Sequence, residues 1–271
     1  MSLDGLFAAL GAIANTLFVI AGFYIYISLI RQIGARPAEE TGSTKQFAFP
    51  EVCCAVALMT WFLLNVMVSV MIPSHPMQIG TGDLVLNASV SIGLVLFLGA
   101  FLSFRRFDIS LLAGFSKPGF GRVLSTGFML VLAAYPLIAF ADALIQRFAG
   151  IGSSKQEIVD LFSRSQTLDQ RIMIIILAVA IAPIAEEFIF RFFFYGLIKR
   201  YLGKTTGLVV NSLLFAAVHA HLPSFGPLLV LGGCFTIAYE WSGSILVSMA
   251  MHAFFNSATL IALAFPQAIP P

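Results

Sequence analysis

Charged side chains are what this sequence has least of. Asp, Glu, Lys and Arg make up 10% of its 271 residues, and hydrophobic residues 59%. A soluble domain carries about 25% charged residues, so this chain cannot cover a water-facing surface. Cysteines number three, Cys53, Cys54 and Cys234, all in apolar stretches and without paired spacing. A disulfide framework or cysteine zinc site is therefore not expected, and the three read as small buried hydrophobes. No basic stripe with interleaved aromatics accompanies the formal net charge of +2, so no nucleic-acid partner is expected. The opening MSLDGLF lacks the positive region of a signal peptide, and the apolar run behind it is too long for one. It reads as a retained first span. Internal repeats and low-complexity tracts are also missing.

What is present in quantity is hydrocarbon. Apolar runs recur at about 6–30, 52–72, 84–104, 123–145, 172–200, 206–222, 225–241 and 243–264. Each approaches the roughly 20 residues needed to cross a bilayer as a helix. Helices are expected throughout, because an unpaired backbone is not tolerated against lipid. The expected fold is an all-α, polytopic transmembrane bundle of about eight spans. Residues 1–145 hold N-terminal spans of unassigned role, and 172–264 hold the chemistry. The loop from Gly152 to Gln170 places Ile158, Val159, Leu161 and Phe162 among polar residues. It suits a short surface helix or a solvated loop equally.

Basic residues gather in alternate connections: Arg31, Arg36 and Lys45; Arg105, Arg106, Lys117 and Arg122; Lys199, Arg200 and Lys204. The exception is the fourth connection, with Arg147, Lys155, Arg164 and Arg171. The positive-inside rule then puts both termini outside. The expected location is the plasma membrane of a prokaryote, as an integral multi-pass protein.

One apolar run is interrupted. IAPIAEEFIFRFFFYGLI, Ile181 to Ile198, holds Glu186, Glu187 and Arg191. An ionisable group at a helix centre in the bilayer costs at least about 2.5–3.5 kcal/mol. Glu187 and Arg191 are four residues apart and can pair on one helix face. Glu186 points about 100° away and is left for chemistry. Pro183 removes a backbone donor one turn earlier, which should kink the helix and free a carbonyl. Two later spans add matching polar faces: Phe215 with His219, and His252 with Asn256, each at a spacing of four. Each residue has an ordinary reading alone, as a structural ion pair, an interior histidine or an interhelical amide bond. Together they offer a carboxylate, two imidazoles and an amide. That set suits hydrolysis of a peptide bond by activated water, without a Ser or Cys nucleophile.

EEFIFR, FAAVH and HAFFN fit the patterns EExxxR, FxxxH and HxxxN, in order and on successive spans. In this the chain resembles the CAAX protease and bacteriocin-processing family, the Abi or Rce1-type intramembrane proteases, over about Met173 to Ala264. The resemblance implies that Glu186 activates water with His219, that His252 and Asn256 form the oxyanion pocket, and that Glu187, Arg191 and Phe215 support the site. It also implies a cavity opening to the cytosol and a membrane-associated or lipidated (CAAX-type) peptide as substrate. No cofactor is favoured; zinc held by Glu186, His219 and His252 is the alternative. The competing readings are a non-catalytic scaffold or bacteriocin self-immunity protein on the same fold, and a proton-coupled transporter. The transporter is disfavoured because the buried charge lies in one half only.

Other membrane-protease chemistries find no support. HExxH is absent. GTGD, Gly80 to Asp83, imitates an aspartyl-protease motif, but Asp83 is at the lip of a span and Asp142 follows in the wrong order. GIGSS, Gly150 to Ser154, lies in a polar loop. Asp142 reads as a capped or interface-reaching carboxylate, His221 and the pair Glu240–Trp241 as interfacial, His75 as solvated, and Tyr195 as packing.

Overall fold

A computed structural model describes residues 2–36, 46–71, 80–115, 118–149, 162, 165 and 167–265. Most of the Gly152–Gln170 loop, and His75, lie outside these residues. Among the described residues every regular element is helical. We number the helices α1 (Leu3–Ala35), α2 (Phe49–Met71), α3 (Thr81–Phe104), α4 (Ile109–Ala113), α5 (Phe120–Ala149), α6 (Leu168–Val218), α7 (Phe225–Ser242) and α8 (Ile245–Ala264). All except the short α4 are long and apolar enough to cross a membrane, which makes seven candidate spans.

The count differs from the expected eight because α6 joins the fifth and sixth apolar runs into 51 residues of continuous helicity. It is nevertheless folded in two. Gly203 has φ 83 and ψ 168, a backbone conformation essentially confined to glycine. Contacts either side of it run antiparallel: the rings of Phe190 and Phe215 lie 5.5 Å apart, and a Cβ on Gly207 would sit 3.2 Å from the Lys199 nitrogen. The α6 run is therefore an outgoing arm and a returning arm joined at Gly203.

Burial separates the spans by role. Only 6% of the α1 span is buried, and 11% of α2 and of α3, whereas α6 reaches 44% and α7 50%. The first three helices thus turn Phe, Leu and Ile outward, as a lipid-facing layer requires. Cys53 on α2 is exposed in the same way, which corrects its reading as a buried hydrophobe; Cys234 on α7 is buried. The stretch Glu187–Tyr195 is buried at every residue. A helix buried on every side belongs at a centre, and this one is ringed by aromatic contacts from α2 and from its own returning arm.

Contacts at the helix ends sort the connections into two faces. Arg36, just past α1, donates to the backbone oxygens of Glu240 and Trp241 at the end of α7. Arg105, after α3, pairs with buried Glu51 at the start of α2 at 2.8 Å. Lys199 and Lys204, flanking Gly203, pair with Glu240 at 2.7 and 3.4 Å. Glu240, expected at a headgroup boundary, is also the anchor that locks the α6 hairpin to α7. These basic connections share one face. The start of α1, the end of α5, the turn after His219 and the end of α8 share the other; there a Cβ on Gly226, at the start of α7, would meet Ile145 of α5.

Candidate active site

The outgoing arm of α6 widens twice, into π-helical turns at Leu177–Ile181 and Glu187–Tyr195. In the first, the Ala182 N–H bonds the Leu177 carbonyl five residues back. The next bond of that pattern would join the Ala178 carbonyl to residue 183. Residue 183 is proline and has no N–H. Asn256 of α8 takes its place, donating from Nδ2 to the Ala178 oxygen at 2.7 Å. The carbonyl expected to be freed by Pro183 is thus identified, and it fastens α8 to α6.

The second wide segment carries the charges. Glu187 and Arg191 are fully buried and in ion contact at 3.1 Å. The guanidinium lies 4.1 Å from the Phe215 ring centroid and 5.1 Å from that of Phe235. Such cation–π contacts lower the cost of a buried arginine. Its Nη2 also donates to the Gly232 carbonyl at 3.4 Å. Glu187 has a second partner, His252 Nδ1, at 3.0 Å.

The histidines are held from behind. His219 follows the last residue of the returning arm, where helix carbonyls lack partners, and its Nδ1 lies 2.7 Å from the Phe215 oxygen. A carbonyl only accepts, so Nδ1 carries the hydrogen and Nε2 a lone pair. His252 is buried, with its ring 4.7 Å from that of Phe235. As the Nδ1–H tautomer, donating to Glu187, it also turns the Nε2 lone pair inward.

Both Nε2 atoms face the same oxygen. Glu186 Oε2 lies 3.9 Å from His219 Nε2 and 3.9 Å from His252 Nε2. That is too long for a direct hydrogen bond and suits one water between the groups. Oε2 is buried and makes no hydrogen bond within the chain, while the Glu186 and His219 side chains are each 28% exposed. The structure therefore brings together six of the seven residues singled out from the sequence: Glu186, Glu187, Arg191, Phe215, His219 and His252. It places Asn256 differently from expectation, with one amide hydrogen committed to the Ala178 carbonyl. By donor type, two lone-pair nitrogens and a carboxylate oxygen suit a cation. By arrangement they do not: among the described residues no group of three His, Cys, Asp or Glu side chains could hold a metal ion.

Residues 168–258 match the family model described as type II CAAX prenyl endopeptidase Rce1-like. The C-terminal half carries an Rce1-like domain. The match takes in Glu186, His219, His252 and Asn256, and leaves α1 to α5 outside. No curated protein and no solved structure matches the chain.

Two features of the Rce1-like domain were missed in the sequence. Phe235 stacks on His252 and faces Arg191, and Gly232 lies so close to Phe215 that a Cβ would come within 2.9 Å of it. Both sit on α7, an apolar run with nothing to mark them. Phe215, Arg191, Phe235 and Tyr195, each at most 1% exposed, seal the site toward the basic face. His219 lies instead at the face of the chain ends. The site is thus closed toward the basic face, whichever side of the membrane that face occupies.

Proposed function

We propose that this protein is an intramembrane endopeptidase that uses Glu186 to activate water. The observation that carries the reading is the convergence of Glu186 Oε2 with the Nε2 atoms of His219 and His252, each 3.9 Å away. A water there donates one hydrogen to the carboxylate and the other to His219 Nε2, leaving a lone pair for attack on the peptide carbonyl carbon. As the new C–O bond forms, Glu186 accepts the proton. Collapse of the tetrahedral intermediate breaks the C–N bond, and that proton passes to the leaving amine. Asn256, which keeps a second Nδ2 hydrogen beside the one given to Ala178, is assigned the oxyanion. His252 becomes another donor only when it carries a second proton. Each such donor typically contributes about 2.7–4 kcal/mol. Glu187, Arg191 and Phe215 hold the imidazoles in place. The substrate class is a membrane-associated or lipid-modified peptide, CAAX-type in the sense of the matching family model.

The test is cleavage of fluorogenic lipidated peptides by purified protein in nanodiscs. Wild type should cleave, and Glu186→Gln and His219→Ala should each lose about 10²–10⁴-fold. A chelator should leave the rate unchanged; loss on chelation with recovery on adding zinc would replace this scheme by zinc held through Glu186, His219 and His252. Equal rates in wild type and Glu186→Gln would overturn the site. A folded wild type that cleaves nothing would favour the scaffold or immunity reading.

A further inference from the structure

Beside the site lies a cavity of about 260 Å³. Tyr135 and Asp142 of α5, Pro223 and Ser224 of the turn after His219, and Phe255 and Thr259 of α8 line it. Aromatic, aliphatic and proline residues share the wall with the Ser224 and Thr259 hydroxyls and a single carboxylate, Asp142. Asp142 accepts from the neutral Gln146 amide at 2.7 Å. Among the described residues it has no cation partner.

Of the other carboxylates on the spans, Glu186 belongs to the site already described, and four more are provided for. Glu51 pairs with Arg105, Glu187 with Arg191, and Glu240 with Lys199 and Lys204. Asp83 accepts from the Gly80 N–H at a helix start, where the macrodipole favours an acid. Asp142 has neither aid: it lies seven residues before the end of α5, away from any helix start, with the Gln146 amide as its partner. An ionisable group left in such a place within a membrane span is a functional candidate.

Position connects the cavity to the chemistry. Thr259 is seven residues beyond His252 on one helix, roughly 10 Å at a rise of 1.5 Å per residue. An extended peptide covers that distance in about three residues. Pro223 follows His219 by four residues, so the same turn borders both hollows. We infer that this cavity is a substrate subsite for a basic side chain, lysine or arginine, about three residues from the bond cut, with the Asp142 carboxylate as its ion partner. Tyr135 and Phe255 flank the alkyl stem, and the carboxylate meets the charged head. The inference rests on the endopeptidase reading and adds a substrate preference to it.

Two measurements on the full chain in nanodiscs test it. In the first, lysine is scanned through a cleaved lipidated peptide against its neutral isostere norleucine. At one position within four residues of the cut, lysine should raise kcat/KM about 10-fold in wild type. Asp142→Asn should bring that ratio to about 1. Asp142→Glu should restore the preference, and Asp142→Lys should transfer it to a glutamate peptide. The second needs no cleavage. Phenethylamine should raise Tm in wild type more than 2-phenylethanol does, and Asp142→Asn should abolish the difference. Equal lysine ratios, or equal amine responses, in wild type and Asp142→Asn would overturn the subsite. An amine response that depends on Asp142 without any peptide cleavage would sustain the cation site and count against the endopeptidase reading alone.

Discussion

Arg191 stands where a bilayer protein least tolerates a cation, and its surroundings account for it residue by residue. Glu187 neutralises it, Phe215 and Phe235 face its planar group, and the Gly232 carbonyl accepts from it. Removing one member of a fully buried ion pair leaves the other charge uncompensated, which typically costs about 3–5 kcal/mol. Arg191→Met should therefore destabilise the fold by about that amount, read from unfolding in mixed detergent micelles. Arg191→Lys should recover little, because an ammonium cannot reproduce a planar group between two rings. The Glu187–Arg191 pair was legible in the sequence, since a spacing of four on a helix is local information. The Glu187–His252 contact and the Phe235 stack were not, because they join helices whose relative rotation is fixed only by packing.

At the scale of the element, the outgoing arm of α6 and the amide of Asn256 form one device. Pro183 leaves the Ala178 carbonyl without its backbone partner, and Asn256 supplies the hydrogen. Asn256→Ala should thus cost about 1–3 kcal/mol of stability through an unsatisfied buried carbonyl. Pro183→Ala restores a backbone N–H, so the same Asn256→Ala change should cost less in that background. A double-mutant cycle read by thermal unfolding should show a coupling of about 0.5–3 kcal/mol, and strict additivity would contradict the arrangement. The hairpin tip offers a second test. Nothing lies within 4 Å of a Cβ built on Gly203, so Gly203→Ala meets only backbone strain, about 1–3 kcal/mol, measurable by the same unfolding. Proline and the polar break near residue 203 were both visible in the sequence. The π-helical widening was not, because it depends on how the aromatic stretch Phe188–Tyr195 packs against its neighbours.

For the whole molecule, hydropathy made the span pattern legible because each run had to match the thickness of hydrocarbon. It could not rank the spans, since lipid and protein interior reward the same residues; only the folded structure distinguishes the outer α1 to α3 from the central α6 and α7. Orientation follows from the two faces. In a cysteine-free background, Leu222→Cys and Tyr201→Cys, at exposed positions on opposite faces, should be labelled by an impermeant thiol reagent from opposite sides of sealed vesicles. If the basic face is cytosolic, only Leu222→Cys reacts from outside; labelling of both from one side would contradict the hairpin.

The account as a whole stands on one carboxylate oxygen held between two imidazoles whose outer nitrogens are already engaged. Its most direct measurement is kcat/KM on a cleaved lipidated peptide for Glu186→Gln, a change that keeps shape and removes the proton acceptor, in protein whose unfolding matches wild type. The expected result is a fall of about 10²–10⁴-fold. Wild-type turnover by that variant would contradict it.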